Sequence, residues 1–166
     1  MTRASRRRLL ARLAGTALAA GLAVALLGAT AVAPPRPAAA QDFEPDHRLV
    51  LYISDSDPAK MGSVLSVATN VTKHYGARGE LIEIRIIAFN EGLHMLRTDT
   101  SPVLSRLRSF AAGVPNVAFF ACGNTLDTME RTEGARPEIF EGASIVQTGV
   151  AELLRLEEEG WTLVRP

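Results

Sequence analysis

Residues 117–126 have the sequence Val-Ala-Phe-Phe-Ala-Cys-Gly-Asn-Thr-Leu and contain Cys122, the only cysteine of the 166-residue chain. The five apolar residues before the cysteine predict a parallel strand covered on both faces, where alternation with polar residues is not expected. Gly123 and Asn124 tolerate the backbone angles of a turn, and Asn124 or Thr125 can cap a helix. The stretch therefore predicts a buried strand that turns directly into a helix.

The position of the Cys122 sulfur has a chemical consequence. A helix that begins after residue 122 directs its unpaired backbone N–H groups and its dipole at the sulfur, which favours thiolate over thiol. The carboxyl end of a strand is also where open α/β sheets bind ligands. Two interpretations stay open from the local sequence: a nucleophilic sulfur, and a cysteine that is simply a small buried hydrophobic residue.

The rest of the chain predicts alternating strands and helices. Apolar and β-branched segments predict further strands at 48–53, 80–89, 145–146 and 161–164. Helical spacing of apolar residues predicts helices at 58–76, 101–113 and 151–159, with a short helix anchored by Leu126 and Met129. Asp57 is expected to cap the first helix, with Pro58 at its first position. This alternation predicts a single-domain, flavodoxin-like α/β fold, a doubly wound sheet of about five mostly parallel strands.

Residues 1–40 have the features of a signal peptide. A basic start is followed by an uncharged run over 13–33, and small residues at 38–40 precede the expected mature start at Gln41. Residues 5–10 resemble a twin-arginine export signal, although an arginine-rich Sec signal has similar features. An uncleaved membrane anchor is the alternative, because about 20 uncharged residues can span a bilayer. Both alternatives place the domain outside the cytoplasm, in the periplasm, with a polar arm at 41–47 and the α/β domain at 48–166.

The charge balance excludes one class of partner. Six of the 18 Lys and Arg residues lie within 1–40, whereas all 18 Asp and Glu residues lie beyond it, so the mature part carries a charge of about −6. Nucleic-acid binding needs several cationic contacts to phosphate, so we do not expect it. A single cysteine allows no internal disulfide. No membrane contact is expected after signal cleavage, because no other segment approaches membrane-spanning length.

Three loops are candidates for a functional site. The residues after the first three strands, 54–57, 90–94 and 122–125, are expected to converge on one rim of the sheet. Gly92 marks the second of these strand-to-loop junctions. His94 is a candidate base for Cys122 or an anion ligand, and a packing or surface histidine is its alternative. No metal or cofactor is predicted, because the sequence has no metal-ligand spacing, phosphate-binding loop or serine-hydrolase elbow.

Two blocks of the sequence are the most specific: Ala-Cys-Gly-Asn at 121–124 and Glu-Gly-Trp at 159–161. With these blocks, the whole region from 48 to 166 resembles the DsrE/DsrF-like family, in an exported branch. The resemblance implies a five-stranded flavodoxin-like fold assembled as trimers or hexamers. It also implies a cysteine, matched here by Cys122, that receives sulfur as a persulfide and passes it to a partner. Family members in sulfur oxidation and tRNA thiolation relays are cytoplasmic, so their partners are not carried over to this chain.

The sequence is therefore consistent with three alternative functions. The first is a periplasmic persulfide carrier, in which Cys122 is catalytic and Gly123, Asn124 and Thr125 stabilise its charge. Its partners would be sulfur donor and acceptor proteins or small sulfur species. The second is an oligomeric module that binds a small anion or a partner and has a buried structural cysteine. The third is a thiol redox sensor.

Overall fold

The architecture comes from a computed structural model that describes residues 44–166. The predicted signal peptide and residues 41–43 of the predicted arm lie outside the described residues. In chain order the elements are β1 (His47–Ile53), α1 (Pro58–Gly76), β2 (Ile82–Ala88), a 3-10 helix (Asn90–Leu96), α2 (Leu104–Gly113), β3 (Val117–Cys122), α3 (Gly123–Glu133), β4 (Ala143–Val146), α4 (Gly149–Glu158) and β5 (Thr162–Val164). No helix within 44–166 combines the length and the apolar character needed to cross a bilayer.

The strands form one parallel sheet in the order β4-β3-β2-β1-β5. The chain therefore adds strands in one direction from β1 to β4 and then returns across the sheet to place β5 beside β1. Helices α1, α2 and α3 contribute buried side chains to the larger core on one face, and α4 packs in a smaller core on the other. Helices on both faces of a parallel sheet confirm the predicted α/β, flavodoxin-like fold class.

The first strand–helix unit shows how local sequence sets these elements. Side chains alternate along β1, so that Leu49 and Leu51 belong to the larger core while Val50 belongs to the smaller one. Helix α1 starts as expected: the Asp57 carboxylate accepts the N–H of Ala59 at 2.8 Å, and Pro58 occupies the first position. Both local predictions are confirmed.

Several predicted boundaries differ from the observed ones. The 3-10 helix after β2 was not predicted, and α2 begins at Leu104 rather than 101, because the Ser101 hydroxyl instead donates to the Met95 carbonyl in a turn. Helix α4 begins at Gly149, two residues earlier than expected. His47 was assigned to the arm but opens β1, where it pairs with Ile82 and stacks on the Tyr75 ring at 3.8 Å between centroids. These boundaries depend on tertiary contacts that a local pattern does not contain.

The topology creates one crevice at the carboxyl edge of the sheet. The chain leaves β3 toward the face that carries α3, whereas it leaves β4 toward the opposite face that carries α4. Neighbouring strands whose connections leave in opposite directions form the switch point at which α/β sheets bind ligands. Cys122 is the last residue of β3 and pairs with Val146 of β4, so the only cysteine lies at this switch point.

Candidate functional site

The Cys122 side chain lies between the starts of two helices. Cys122 directly precedes α3. Its Sγ atom accepts a hydrogen bond from the N–H of Gly149, the first residue of α4, at 3.3 Å. The Gln147 carbonyl oxygen lies 3.9 Å from the same sulfur. The residue is 5% exposed, yet it lines a cleft of about 670 Å³. The sulfur is thus held at the base of a cavity with backbone donors directed at it.

The surroundings lower the pKa of the Cys122 thiol. Burial raises this pKa, but the Thr125 side chain and the nearby backbone N–H groups, among them the Gly149 N–H that donates to the sulfur, outweigh it. The Thr125 hydroxyl oxygen accepts the N–H of Asn90 at 3.0 Å, which leaves its own proton for the sulfur. Helix dipoles act in the same direction, since two N-termini meet here. The surroundings therefore shift the thiol toward its thiolate form, the direction expected for the nucleophilic one of the two interpretations that the sequence leaves open.

Replacing Thr125 with valine is expected to raise the pKa of the Cys122 thiol. The variant loses a donor to the charged sulfur, and a hydrogen bond to a charged group contributes roughly 1.5 kcal/mol. Alkylation at pH values below the pKa of the thiol should therefore slow about tenfold. The measurement is the alkylation rate as a function of pH. Thr125→Ser should keep the wild-type profile, and so should Thr128→Val, because the Thr128 hydroxyl donates to the Asn124 carbonyl instead. An unchanged or lower thiol pKa in Thr125→Val would contradict the role of Thr125 as a donor to the sulfur.

Asn124 and Gly123 connect the two turns rather than capping the helix. The helix-cap role expected for Asn124 or Thr125 is wrong, because α3 already begins at Gly123 and Cys122 holds the cap position without a side-chain cap. The Asn124 N–H donates to the Gln147 carbonyl at 2.9 Å, and its side-chain amide donates to Thr148 at 3.1 Å. Gly123 packs against Gln147, where a Cβ would lie 3.2 Å from the Gln147 Cα and Oε1 atoms. Both residues hold the turn after β3 against the turn after β4.

Gly92 packs against the end of β1. A Cβ atom at this position would lie 2.3 Å from the Ile53 carbonyl oxygen, so the 3-10 helix touches the end of β1 backbone to backbone. Gly92 does not line the cleft. The structure gives Gly92 a packing role, because only glycine permits this close approach. Its binding role stays a prediction.

His94 lines the same cleft as Cys122. Its Nδ1 lies 2.7 Å from the Thr100 hydroxyl oxygen, and its Nε2 lies 3.6 Å from the Glu91 carboxylate. Neither ring nitrogen is paired with the sulfur, so the structure gives His94 hydrogen-bond partners other than Cys122. His94 also lines a second cleft of about 330 Å³, which includes Ser56 from the loop after β1 and Pro58, the first residue of α1. The second and third of the three loops thus line the Cys122 cleft together, as expected. The first loop does not line it and contributes Ser56 to the second cleft instead.

The outer wall of the cleft depends on a buried arginine. Arg97 is 4% exposed, and its guanidinium donates to Glu133 at 2.6 Å and to Asp99 at 2.7 Å. These hydrogen bonds lower the pKa of the Asp99 carboxyl to about 2 and lower the pKa of Glu133. Because Glu133 lines the cleft, Arg97 fixes one wall by joining the segment after the 3-10 helix to α3.

No protein-family model and no curated protein matches this chain. The chain is similar to a solved structure, that of a protein of unknown function, MTH1491, from Methanobacterium thermoautotrophicum. The two share 29% sequence identity over 73% of this chain and 100% of the other, with a TM-score of 0.62. This similarity supports the α/β fold, and the function of MTH1491 is itself unknown.

Sequence reasoning missed the contribution of the turn after β4. Thr148, Gly149 and Val150 all line the cleft, and Gly149 supplies the closest backbone donor to the sulfur. A Cβ at position 149 would lie 3.3 Å from the Cβ atoms of both Cys122 and Phe89, so a side chain would crowd this approach. The available signal was the Thr-Gly-Val turn at the start of the last helix, which follows a strand just as Cys-Gly-Asn does.

The chemistry available at the site is that of a sulfur nucleophile. Across residues 44–166, no three His, Cys, Asp or Glu side chains group as metal ligands would. The cleft instead offers one thiol whose pKa is lowered, two helix N-termini and hydroxyl and amide groups from Thr125, Asn124 and Thr148. The two helix N-termini create a positive potential at the sulfur. This potential stabilises a negative charge there, whether the sulfur is a thiolate or part of a persulfide.

Proposed function

We propose that this protein is an exported sulfur carrier of the DsrE/DsrF-like type, in which Cys122 accepts a sulfane sulfur and passes it on. The observation that carries the proposal is the placement of the Cys122 Sγ at the switch point, where it accepts the Gly149 N–H and lines a cleft. Thiolate character makes the sulfur nucleophilic, and the cleft gives a donor room to approach. The proposal includes a periplasmic location after signal cleavage.

The transfer itself needs no outside oxidant or reductant. The Cys122 thiolate attacks the terminal sulfur of a sulfane donor, such as polysulfide; a new S–S bond forms, the bond to the rest of the donor breaks, and the electron pair leaves with that remainder. An acceptor thiolate then attacks the outer sulfur of the Cys122 persulfide, and the electron pair returns to Cys122. The residues around Cys122 stabilise the negative charge before and after each step.

Assembly into trimers or hexamers belongs to the same proposal. Among the described residues, Ile145, Val150 and Leu154 are large apolar side chains that are at least half exposed. Val150 also lines the cleft, so a second copy packed on α4 would lie beside the sulfur. Exposed apolar side chains of this size support burial against a partner copy.

The test of the carrier function is sulfur uptake by the reduced, folded protein. After incubation with excess polysulfide and desalting, the intact mass is expected to rise by one sulfur atom, and a reductant should remove the added mass. Because Cys122 is the only thiol of the chain, the added sulfur can be assigned to it directly. A folded, reduced sample that gains no mass would overturn the proposal.

A non-catalytic binding module is favoured by one observation, the 5% exposure of Cys122. In that function the thiol is a packing group and resists alkylation until the protein unfolds. Timed alkylation with iodoacetamide separates the two functions. A carrier is labelled in the native state, in a single phase, without prior unfolding, whereas a structural cysteine is labelled only as fast as the protein opens.

A further inference from the structure

Another cleft lies at the opposite edge of the sheet from Cys122. Its volume is about 770 Å³, and it lies between α1 and the strands β1 and β5. It is lined by the first residues of β1, β2 and β5, which are His47, Ile82 and Thr162. Cys122 is the last residue of β3, and strand starts and strand ends lie at opposite edges of a parallel sheet. The cleft is therefore separate from the Cys122 site.

The wall of this cleft is mostly apolar. Helix α1 contributes Val67, Val71 and Tyr75, and the strands contribute Leu49 and Val164. Among residues 44–166, β5 is an edge strand of three residues that pairs only with β1, and its Val164 side chain is 38% exposed. An exposed apolar wall at the edge of a sheet marks a surface that another segment or molecule covers.

The amino-terminal end of the described chain lies at the rim of this cleft. Asp46 and Arg48 line the cleft, and the described chain begins two residues before Asp46, at Glu44. The Asp46 carboxylate accepts the Leu81 N–H at 2.8 Å, and the Glu44 carboxylate pairs with the Arg48 guanidinium. These contacts hold the chain beside the cleft before it enters β1.

The residue before Glu44 is a phenylalanine. Phe43 has the only large apolar side chain between residues 33 and 48. Three peptide units separate it from Asp46, so the Phe43 Cα lies within about 11 Å of the Asp46 Cα in any conformation. Pro45 favours an extended conformation for Glu44, which keeps a helix from forming at this point. The Phe43 ring is thus tethered within reach of the apolar wall.

We propose that residues 41–43 close this cleft, with the Phe43 ring packed against Val67 and Val71 of α1 and Val164 of β5. Docking of the ring removes apolar surface of both groups from water, which stabilises the folded domain. Val67 and Val71 pack against the larger core, and Leu49 at the base of the cleft belongs to it. The segment is therefore a strap over the amino-terminal edge of that core.

The tether favours this occupant over a separate molecule. A group joined to its site by a short linker acts at an effective concentration in the mM range, so the weak packing of one ring is enough to fill the cleft. A free partner has no such advantage and would have to displace the ring. Because the cleft shares no residue with the Cys122 cleft, the docking of Phe43 does not depend on the carrier function.

Loss of the ring should destabilise the protein. Each variant is expressed with residues 1–40 and isolated after export, so that it keeps its natural amino-terminal end. Phe43→Ala should lower the melting temperature by about 5 °C, because the apolar wall returns to water. Asp42→Asn changes the neighbouring side chain of the same segment and should leave the melting temperature within about 1 °C of the wild type. A Phe43→Ala protein as stable as the wild type would overturn the inference.

Chemical cross-linking locates the Phe43 side chain directly. Because Cys122 is the only cysteine, a Cys122→Ser background leaves just the two thiols that are introduced. A short bis-maleimide should join Phe43→Cys to Val67→Cys within one chain. It should not join Phe43→Cys to Leu154→Cys, which is 56% exposed on α4, the helix of the opposite face. Equal yields for the two pairs would overturn the inference. Products that join only two different chains would also overturn it and would assign the cleft to a second copy.

Discussion

Serine at position 122 is expected to leave the protein folded and to abolish sulfur uptake. The Ser hydroxyl can accept the Gly149 N–H and donate to the Gln147 carbonyl, as the thiol does, so the free energy of unfolding should change by no more than about 1 kcal/mol. The hydroxyl stays protonated at neutral pH and lacks a paired base, so it is not a nucleophile toward sulfane sulfur.

Intact mass after polysulfide treatment is the measurement for Cys122→Ser. The wild type should gain one sulfur atom, whereas the serine variant should keep its original mass, and urea unfolding should show that both are folded. Thr128→Val, which alters the cleft wall but no donor to the sulfur, should gain sulfur like the wild type. Sulfur uptake by the folded serine variant would show that the sulfur is held somewhere other than Cys122.

Alanine at position 92 is expected to destabilise the protein by about 3 kcal/mol, near the upper end for overpacking substitutions. The new Cβ would lie 2.3 Å from the Ile53 carbonyl oxygen and 2.7 Å from the Ser54 nitrogen. Both are backbone atoms, so relief requires the 3-10 helix to move away from β1. We expect the melting temperature to fall by roughly 10 °C.

A second glycine provides the control for this prediction. A Cβ at Gly113, the last residue of α2, has no neighbouring atom within 4 Å, so Gly113→Ala should be neutral or stabilise by up to about 1 kcal/mol. Urea unfolding of both variants checks the pair. Equal stability of Gly92→Ala and the wild type would show that this backbone contact does not constrain the fold.

Much of the fold could be predicted from local patterns. The apolar run before Cys122 predicts β3, and the apolar spacing after Pro58 predicts α1, because burial on a strand or a helix leaves a periodic trace in the sequence. The 3-10 helix after β2 leaves no such trace. It is set by the contact of Gly92 with β1 and by Asn90, whose φ of 49° is a left-handed conformation that asparagine tolerates.

The candidate site was predicted in part. Cys122, Asn124, Thr125 and His94 do line one cleft, as expected for loops at the carboxyl ends of neighbouring strands. The roles of individual residues were less predictable. Asn124 joins two turns instead of capping a helix, and Gly92 packs on the end of β1 outside the cleft, because each role depends on which backbone segment lies opposite.

The sequence by itself determined that strands and helices alternate and that the only cysteine lies where a buried strand turns into a helix. Those properties follow from hydrophobic periodicity and turn chemistry, which act over a few neighbouring residues. Only the tertiary structure decided that β4 pairs with β3 and that α4 leaves on the opposite face. That pairing brings the Gly149 N–H to the Cys122 sulfur across 27 residues of chain, a contact that no local pattern encodes.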